Sequence, residues 1–249
     1  YLKQYQNFDD QQPYSYFELG LAYIKIDQHE NAIPQFEKAL ELYKKQDLKP
    51  SFIEYYTLLG YSYHKTGLFS REKKLYKKTE LQFPDNISLT YRQIILSLSE
   101  GDTATANKQL EKYILLCKES SFSDEDIQIS LGDIFSEAGM PGKAENHFRK
   151  AYLLERDNPG VNYNLAYCLI DNDKGIDEGL RLIEKNLKLT PDDYLNLDLK
   201  GWGLFKQRKY KEAVEILQKS WDLRMKYSIY DHLAYLRLDE SKKAAGEKK

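Results

Sequence analysis

The side chains best able to do acid–base chemistry in this chain are its four histidines, His29, His64, His147 and His232. They are dispersed singly, and none has a second ligand or catalytic partner at helical spacing, so each reads as a helix-surface or interface residue. The chain has no glycine-rich phosphate loop, no Gly-x-Ser-x-Gly elbow and no His-Glu-x-x-His, the short motifs that would announce phosphate, acyl or zinc chemistry. The nearest approach to a cation loop is Asp171-Asn-Asp-Lys-Gly175, followed by Asp177 and Glu178. Its glycine comes one place early, and Leu182 stands where a calcium loop needs a bidentate carboxylate. The run therefore reads as a polar turn between helices, with Gly175 supplying a backbone conformation that other residues resist. Cys117 and Cys168 lie 51 residues apart in apolar surroundings without a CxxC pair, and are expected to be buried free thiols. The expectation is a protein that is not an enzyme and uses no cofactor or metal.

Charge narrows the partners. With 37 basic and 39 acidic residues the formal net charge is −2, which argues against a nucleic-acid binder that relies on a phosphate-seeking field. The basic runs Arg71 to Lys78 and Lys206 to Lys211 read as solvated helix faces. No apolar run approaches the roughly 18 residues of a membrane span, so no membrane insertion is expected. Because the chain opens on Tyr1 without Met, it is expected to be a processed or excised piece, with residues 1–12 a truncated or frayed segment. Its compartment is left open between the cytoplasm and, had a leader been removed, the periplasm.

The elements that must position any site repeat. Gly20, Gly60, Ile94, Gly132, Ala166 and Gly201 occupy one equivalent position, separated by 40, 34, 38, 34 and 35 residues, a period of about 34. In the first unit Tyr16, Leu19, Gly20 and Tyr23 lie on one helical stripe, and Ala32, Phe36 and Ala39 lie on a second after a short break. This predicts two antiparallel helices, brought close at Gly20 and Ala32 with Phe36 and Tyr23 filling the volume between them. The units around Gly60 (with Tyr63, Gly67, Tyr76 and Pro84) and Gly132 (with Phe135, Gly139, Ala144, Phe148 and Ala151) repeat the pattern closely. Those around Ala166 and Gly201 repeat it with substitutions. The segment 86–118 is the weakest, with Ile94 where glycine is expected. Pro50, Pro84, Pro159 and Pro191 fall between pairs, and the spacing predicts thirteen helices between residues 13 and 239. Ser120 to Asp124 is a longer polar joint where the array could bend. Residues 241–249 read as a polar disordered tail.

The order large residue, Leu-Gly, Tyr, Ala, Phe, Ala, Pro at these offsets resembles the tetratricopeptide repeat over roughly residues 13 to 226. Departures are Glu72 and Thr79 where small residues are expected, and Lys200 where leucine is expected. The resemblance implies an all-α, right-handed α-solenoid of helix-turn-helix repeats: one superhelix over 13–240, about six repeats plus a capping helix. It also implies a noncatalytic scaffold or adaptor that takes a peptide or protein segment in a groove lined by the first helix of each pair. Mapped onto this sequence, the groove residues are Tyr14, Phe17, Leu21, Tyr61, His64, Tyr91, Arg92, Ile95, Tyr163, Asn164, Tyr167, Trp202 and Phe205. The carboxylate clamp of one subclass, which binds chaperone tails, is absent, since Phe17, Leu21, Leu58 and Ser88 replace four of its polar residues and only Arg92 remains.

The first three inner helices carry Glu18, Lys25, Glu54, Lys65 and Arg92, close to balance. The next three carry Asp126, Asp133, Glu137, Asp171 and Asp198 against Lys206. The C-terminal half is therefore expected to place a partner's Lys or Arg at Asp133 and Asp198, with its apolar residues against Tyr163, Tyr167 and Trp202. Alternatives are a structural subunit of a larger assembly, envelope-associated among the options, its groove empty or filled by the protein's own tail, or a glycan-binding sensor using the same aromatic side chains.

Overall fold

A computed structural model describes residues 11–246; residues 1–10 and 247–249, and with them most of the expected N-terminal segment and the end of the tail, lie outside the described residues. The described residues form thirteen α-helices and no strand. The chain divides into two compact units, Tyr1–Ser121 and Phe122–Lys249, and the division falls inside the polar Ser120 to Asp124 joint.

The first unit contains three antiparallel pairs: α1 (Pro13–Lys25) with α2 (His29–Lys45), α3 (Glu54–Lys65) with α4 (Phe69–Glu80), and α5 (Ile87–Ser99) with α6 (Thr103–Glu119). The second contains α7 (Asp124–Glu137) with α8 (Pro141–Leu154), α9 (Pro159–Asp171) with α10 (Ile176–Leu189), and α11 (Tyr194–Lys206) with α12 (Tyr210–Lys226), followed by α13 (His232–Ala244). First helices also touch first helices, α3 with α5 in one unit and α7 with α9, α9 with α11 and α11 with α13 in the other.

A steric register holds each pair together. A Cβ added at Gly20 would sit 2.7 Å from the ring of Phe36, at Gly60 2.2 Å from the Tyr76 hydroxyl, at Gly132 2.5 Å from Phe148, and at Gly201 2.5 Å from Leu217. Each partner lies sixteen residues after its glycine. The missing side chain on the first helix is the space the second helix fills, so backbone and side chain meet at close-packed distance. The third pair departs, as its sequence does: Ile94 is itself fully buried, and the residue sixteen places on is Leu110 rather than an aromatic ring.

A second register closes each pair. Seven residues after every glycine-equivalent position the backbone turns left-handed, at Asp27 (φ 56°), Gly67 (72°), Gly101 (76°), Gly139 (71°), Asp173 (57°) and Arg208 (64°). Glycine takes this conformation freely and aspartate with modest cost. The turn after α9 thus differs from its sequence reading. Gly175 is extended, with φ −173°, and Asp173 provides the left-handed residue.

Side-chain caps start six of the helices, from Asn86, Asp102, Ser123, Asn158, Asp193 and Asp231, each satisfying an N–H that the first turn leaves open. In the second unit a buried amide ladder fixes α9, α10 and α11. Asn162 Nδ2 donates to Asn186 Oδ1 (3.1 Å), and Asn186 Nδ2 donates to Asn196 Oδ1 (3.0 Å) and to the Pro159 carbonyl (2.8 Å). The C-terminal tail starts later than its polarity suggests: α13 runs to Ala244 and Ser241 is fully buried, because the helix packs on α12 and α11.

Gly60→Ala tests the steric register. Tyr76 is buried to 1% exposure and has no room to withdraw. The added methyl gains about 1 kcal/mol of helix propensity but overpacks the pair at a cost of roughly 1–3 kcal/mol. The expected outcome is a net loss, read as a lower urea midpoint than wild type. A Gly60→Ala chain as stable as wild type would mean that the close approach does not hold the pair.

Candidate functional site

The candidate site is built on the first helices of the second unit. Position for position, Asp133 of α7, Tyr167 of α9 and Trp202 of α11 each follow the glycine-equivalent residue, so the contacting helices present them in one row. Tyr163 and Asn164 lie one turn earlier on α9, and Phe205 one turn later on α11. All six are half-buried. The rings are mutually braced: Tyr163 and Tyr167 are 6.3 Å apart between centroids, Trp202 stacks on Phe205 at 4.8 Å and 8°, and Phe205 meets Tyr210 at 5.4 Å. Burial pushes the Tyr163 hydroxyl up to about 12, so it stays a neutral hydrogen-bonding group at any physiological pH.

Two polar groups in this row are uncommitted. Among the described residues, no hydrogen bond reaches the Asn164 side chain, and no hydrogen bond or cation reaches the Asp133 carboxylate. Burial, assisted by the neighbouring negative charge of Glu137, raises Asp133 to about 6. A carboxylate in that condition is stabilised by any cation brought to it.

Asp198 behaves differently from its sequence reading. It is 4% exposed, and Arg237 of α13 donates to it through Nη1 at 2.6 Å. The same guanidinium lies 3.7 Å from Asp171 and over the rings of Tyr167 (5.6 Å) and Trp202 (5.2 Å). The expected basic side chain is present between these aromatics, but the chain's own α13 supplies it, so Asp198 is not open to a partner's Lys or Arg. Lys206 also covers Trp202, at 5.2 Å, and pairs with Asp173 at 2.9 Å. Two of the five acids counted along the sequence, Asp171 and Asp198, thus share the chain's own Arg237, whereas Asp133 has no such cation among the described residues.

In the first unit the expected groove residues serve packing more than a surface. Phe17 sits against Tyr55 (4.3 Å) and Phe36 (5.7 Å), beside the core cluster of Ala32, Ile33, Phe36, Leu59 and Tyr63. Ile95 is buried to 1% exposure and lines no face. Tyr61 and Tyr91 flank the Arg92 guanidinium at 4.7 and 5.2 Å, with Tyr91 also 6.2 Å from Tyr113. The fold also joins three groups that sequence spacing keeps apart: Glu72 of α4, His64 of α3 and Ser99 of α5 are linked in that order by contacts of 3.0 and 3.4 Å. Glu72 is visible in the sequence only as a misfit in a small-residue position. Among the described residues, no three His, Cys, Asp or Glu side chains gather to hold a metal ion, and no helix is long and apolar enough to cross a membrane.

Helix pairs with a common steric register, presenting side chains along a row of first helices, define an all-α helical-repeat protein. A tetratricopeptide repeat model matches residues 13–46, and the other pairs repeat that unit's geometry along the chain. Among solved structures, TTC0263, a thermophilic tetratricopeptide-repeat protein of Thermus thermophilus, matches 78% of this chain and 98% of its own at 20% identity and TM-score 0.50. A chain of the APC/C hetero-tetramer Cut9-Hcn1 matches over 93% of this chain at 16% identity and TM-score 0.48; this chain spans 43% of its length. YrrB, described as a TPR protein with an unusual peptide-binding site, matches over 96% of this chain and 97% of its own at 16% identity and TM-score 0.41. No curated protein matches the sequence.

The Arg237 contact gives a direct test of the internal charge balance. Arg237→Met leaves Asp198 buried without its cation and is expected to cost about 3–5 kcal/mol. Asp198→Asn added to that variant removes the stranded charge and should restore part of the loss. Urea denaturation of the four-member cycle measures the coupling, and additive effects would mean that the two side chains act independently.

Proposed function

We propose that the chain is an interaction scaffold whose second unit binds an extended protein segment along α7, α9 and α11. The observation that carries this reading is a row of half-buried aromatic side chains, Tyr163, Tyr167, Trp202 and Phe205, running beside an Asp133 carboxylate that no cation among the described residues reaches. Aromatic side chains braced by one another bury large area with little loss of side-chain freedom. The Asn164 amide can both donate to and accept from a partner's backbone. A Lys or Arg of the bound segment pairs with Asp133, and its apolar residues lie on the aromatic row. Binding of this kind needs no catalytic group and no cofactor.

The experiment is selection from a displayed peptide library, with the wild-type chain against Asp133→Asn and Asn164→Ala. Among the described residues these two side chains have no internal partner, so the variants leave the fold unburdened, whereas truncating Tyr167 or Trp202 also disturbs the seat of Arg237. The wild type is expected to enrich segments with a basic residue next to apolar ones, and Asp133→Asn to lose the preference for the basic residue. Affinity for a selected peptide should rise with pH. Asp133, at about 6 in the free chain, is only about one-tenth ionised at pH 5 and almost fully ionised at 7.5, so binding should strengthen about tenfold across that interval and flatten in Asp133→Asn. Enrichment of no sequence, or of sequences indifferent to both substitutions, would remove the site from this face.

A further inference from the structure

Beyond the scaffold reading, we propose that Ser99, His64 and Glu72 in the first unit form a nucleophile, base and acid that accept an acyl group from activated esters and thioesters. The connectivity is that of a serine acyl-transfer site. Ser99 Oγ is 3.4 Å from His64 Nε2, and His64 Nδ1 is 3.0 Å from Glu72 Oε2. In the tautomer protonated at Nδ1, His64 donates to Glu72 and turns its Nε2 lone pair to the serine hydroxyl, the arrangement a general base needs. A spacing of 3.4 Å is the loose contact common before a substrate tightens the site.

Accessibility is graded in the direction such a site requires. Glu72 is 1% exposed, His64 15%, and Ser99 lies on the surface. Each comes from a different helix, so packing rather than local spacing brings them together. Glu72 occupies a position where the repeat unit carries a small residue, and its carboxylate is held by the hydrogen bond from His64, with the Tyr76 hydroxyl and the Arg92 charge nearby. The His64 ring is steadied by Phe69 at 5.2 Å.

The step balances without a further reagent. Ser99 Oγ bonds to the acyl carbon as its proton passes to His64 Nε2, and the carbon–oxygen or carbon–sulfur bond to the leaving group breaks. That group departs with the proton from the imidazolium. The surroundings limit the substrate class. The backbone N–H groups of Glu100, Gly101 and Asp102 already donate to Leu96, Leu98 and Ser97 carbonyls, so none of the three is free for a developing oxyanion. Each such donor is worth about 10²–10³ in rate, which confines the site to acyl donors with good leaving groups and excludes amides.

The test treats the full chain with p-nitrophenyl acetate and locates the acetyl groups by peptide mass mapping, with the exposed Ser51 and Ser70 of the same molecule as internal references. Ser99 is expected to be acetylated at least about 10²-fold faster than Ser70. That advantage should disappear in His64→Gln and shrink at least about tenfold in Glu72→Gln, whose amide disturbs the tautomer but keeps the volume. An unchanged circular dichroism spectrum and urea midpoint in the variants show that the chain is folded, and if His64→Gln does not fold the Ser99 to Ser70 ratio of the wild type decides alone. Ser99 reacting no faster than Ser70, or equally fast in a folded His64→Gln, would overturn the proposal.

Discussion

The close approach of two helices at a missing side chain is the contact on which the rest depends. Where Gly60 meets Tyr76 and Gly132 meets Phe148, the ring fixes both the distance between the helices and their rotation about their own axes. Rotation is the consequential part. Once Gly132 is pinned toward α8 and Gly201 toward α12, the next residue of each helix is turned away from its partner, and those residues are Asp133 and Trp202. The row of candidate binding side chains is thus a by-product of packing on the opposite side of the same helices. A left-handed residue seven places after each pinned position ends the first helix at a constant length, so the rows stay in step within each unit.

Most of this is legible in the sequence, because steric registers are written in residue size. Glycine followed sixteen places later by an aromatic ring is readable without coordinates, and so is the weakness of the pair that has Ile94 instead. Turn chemistry is half legible. Gly67, Gly101 and Gly139 announce their conformation, whereas Asp27, Asp173 and Arg208 adopt it because the packed helices leave no alternative, and the nearby Gly175 points to the wrong residue. Aromatic side chains are the least readable class. The same residue type at the same offset serves the core in Phe17 and a surface row in Tyr163, and the difference lies in which neighbouring helix covers it.

Charge misleads for a physical reason. Counting acids along the inner helices treats each as facing solvent, yet α13 crosses that region and inserts Arg237 between Asp198, Tyr167 and Trp202. An arginine suits this position since its flat cation stacks on rings while its donors meet a carboxylate. The pairing links residues 39 apart, beyond any spacing rule. The link between His64, Glu72 and Ser99 is hidden in the same way, in three helices whose contacts follow from the fold alone.

Three acids withdrawn from water by the packing show how the remaining charge is disposed. Burial raises Glu72, Asp133 and Asp198 alike, and an isolated buried carboxylate is costly enough that a fold normally supplies a partner. Glu72 has His64, with Tyr76 beside it, and Asp198 has Arg237. Asp133 has instead a second acid, Glu137, an arrangement that makes the free chain worse off and a cation-bearing complex better off. Of the three, it alone gains strongly from a positive charge brought from outside, and it stands in register with the Tyr167 and Trp202 row. Packing could have placed a neutral residue there at no cost to the α7–α8 register, which rests on Gly132 and Phe148. In the binding mode proposed above, a basic side chain would relieve the penalty of this lone carboxylate and convert it into affinity.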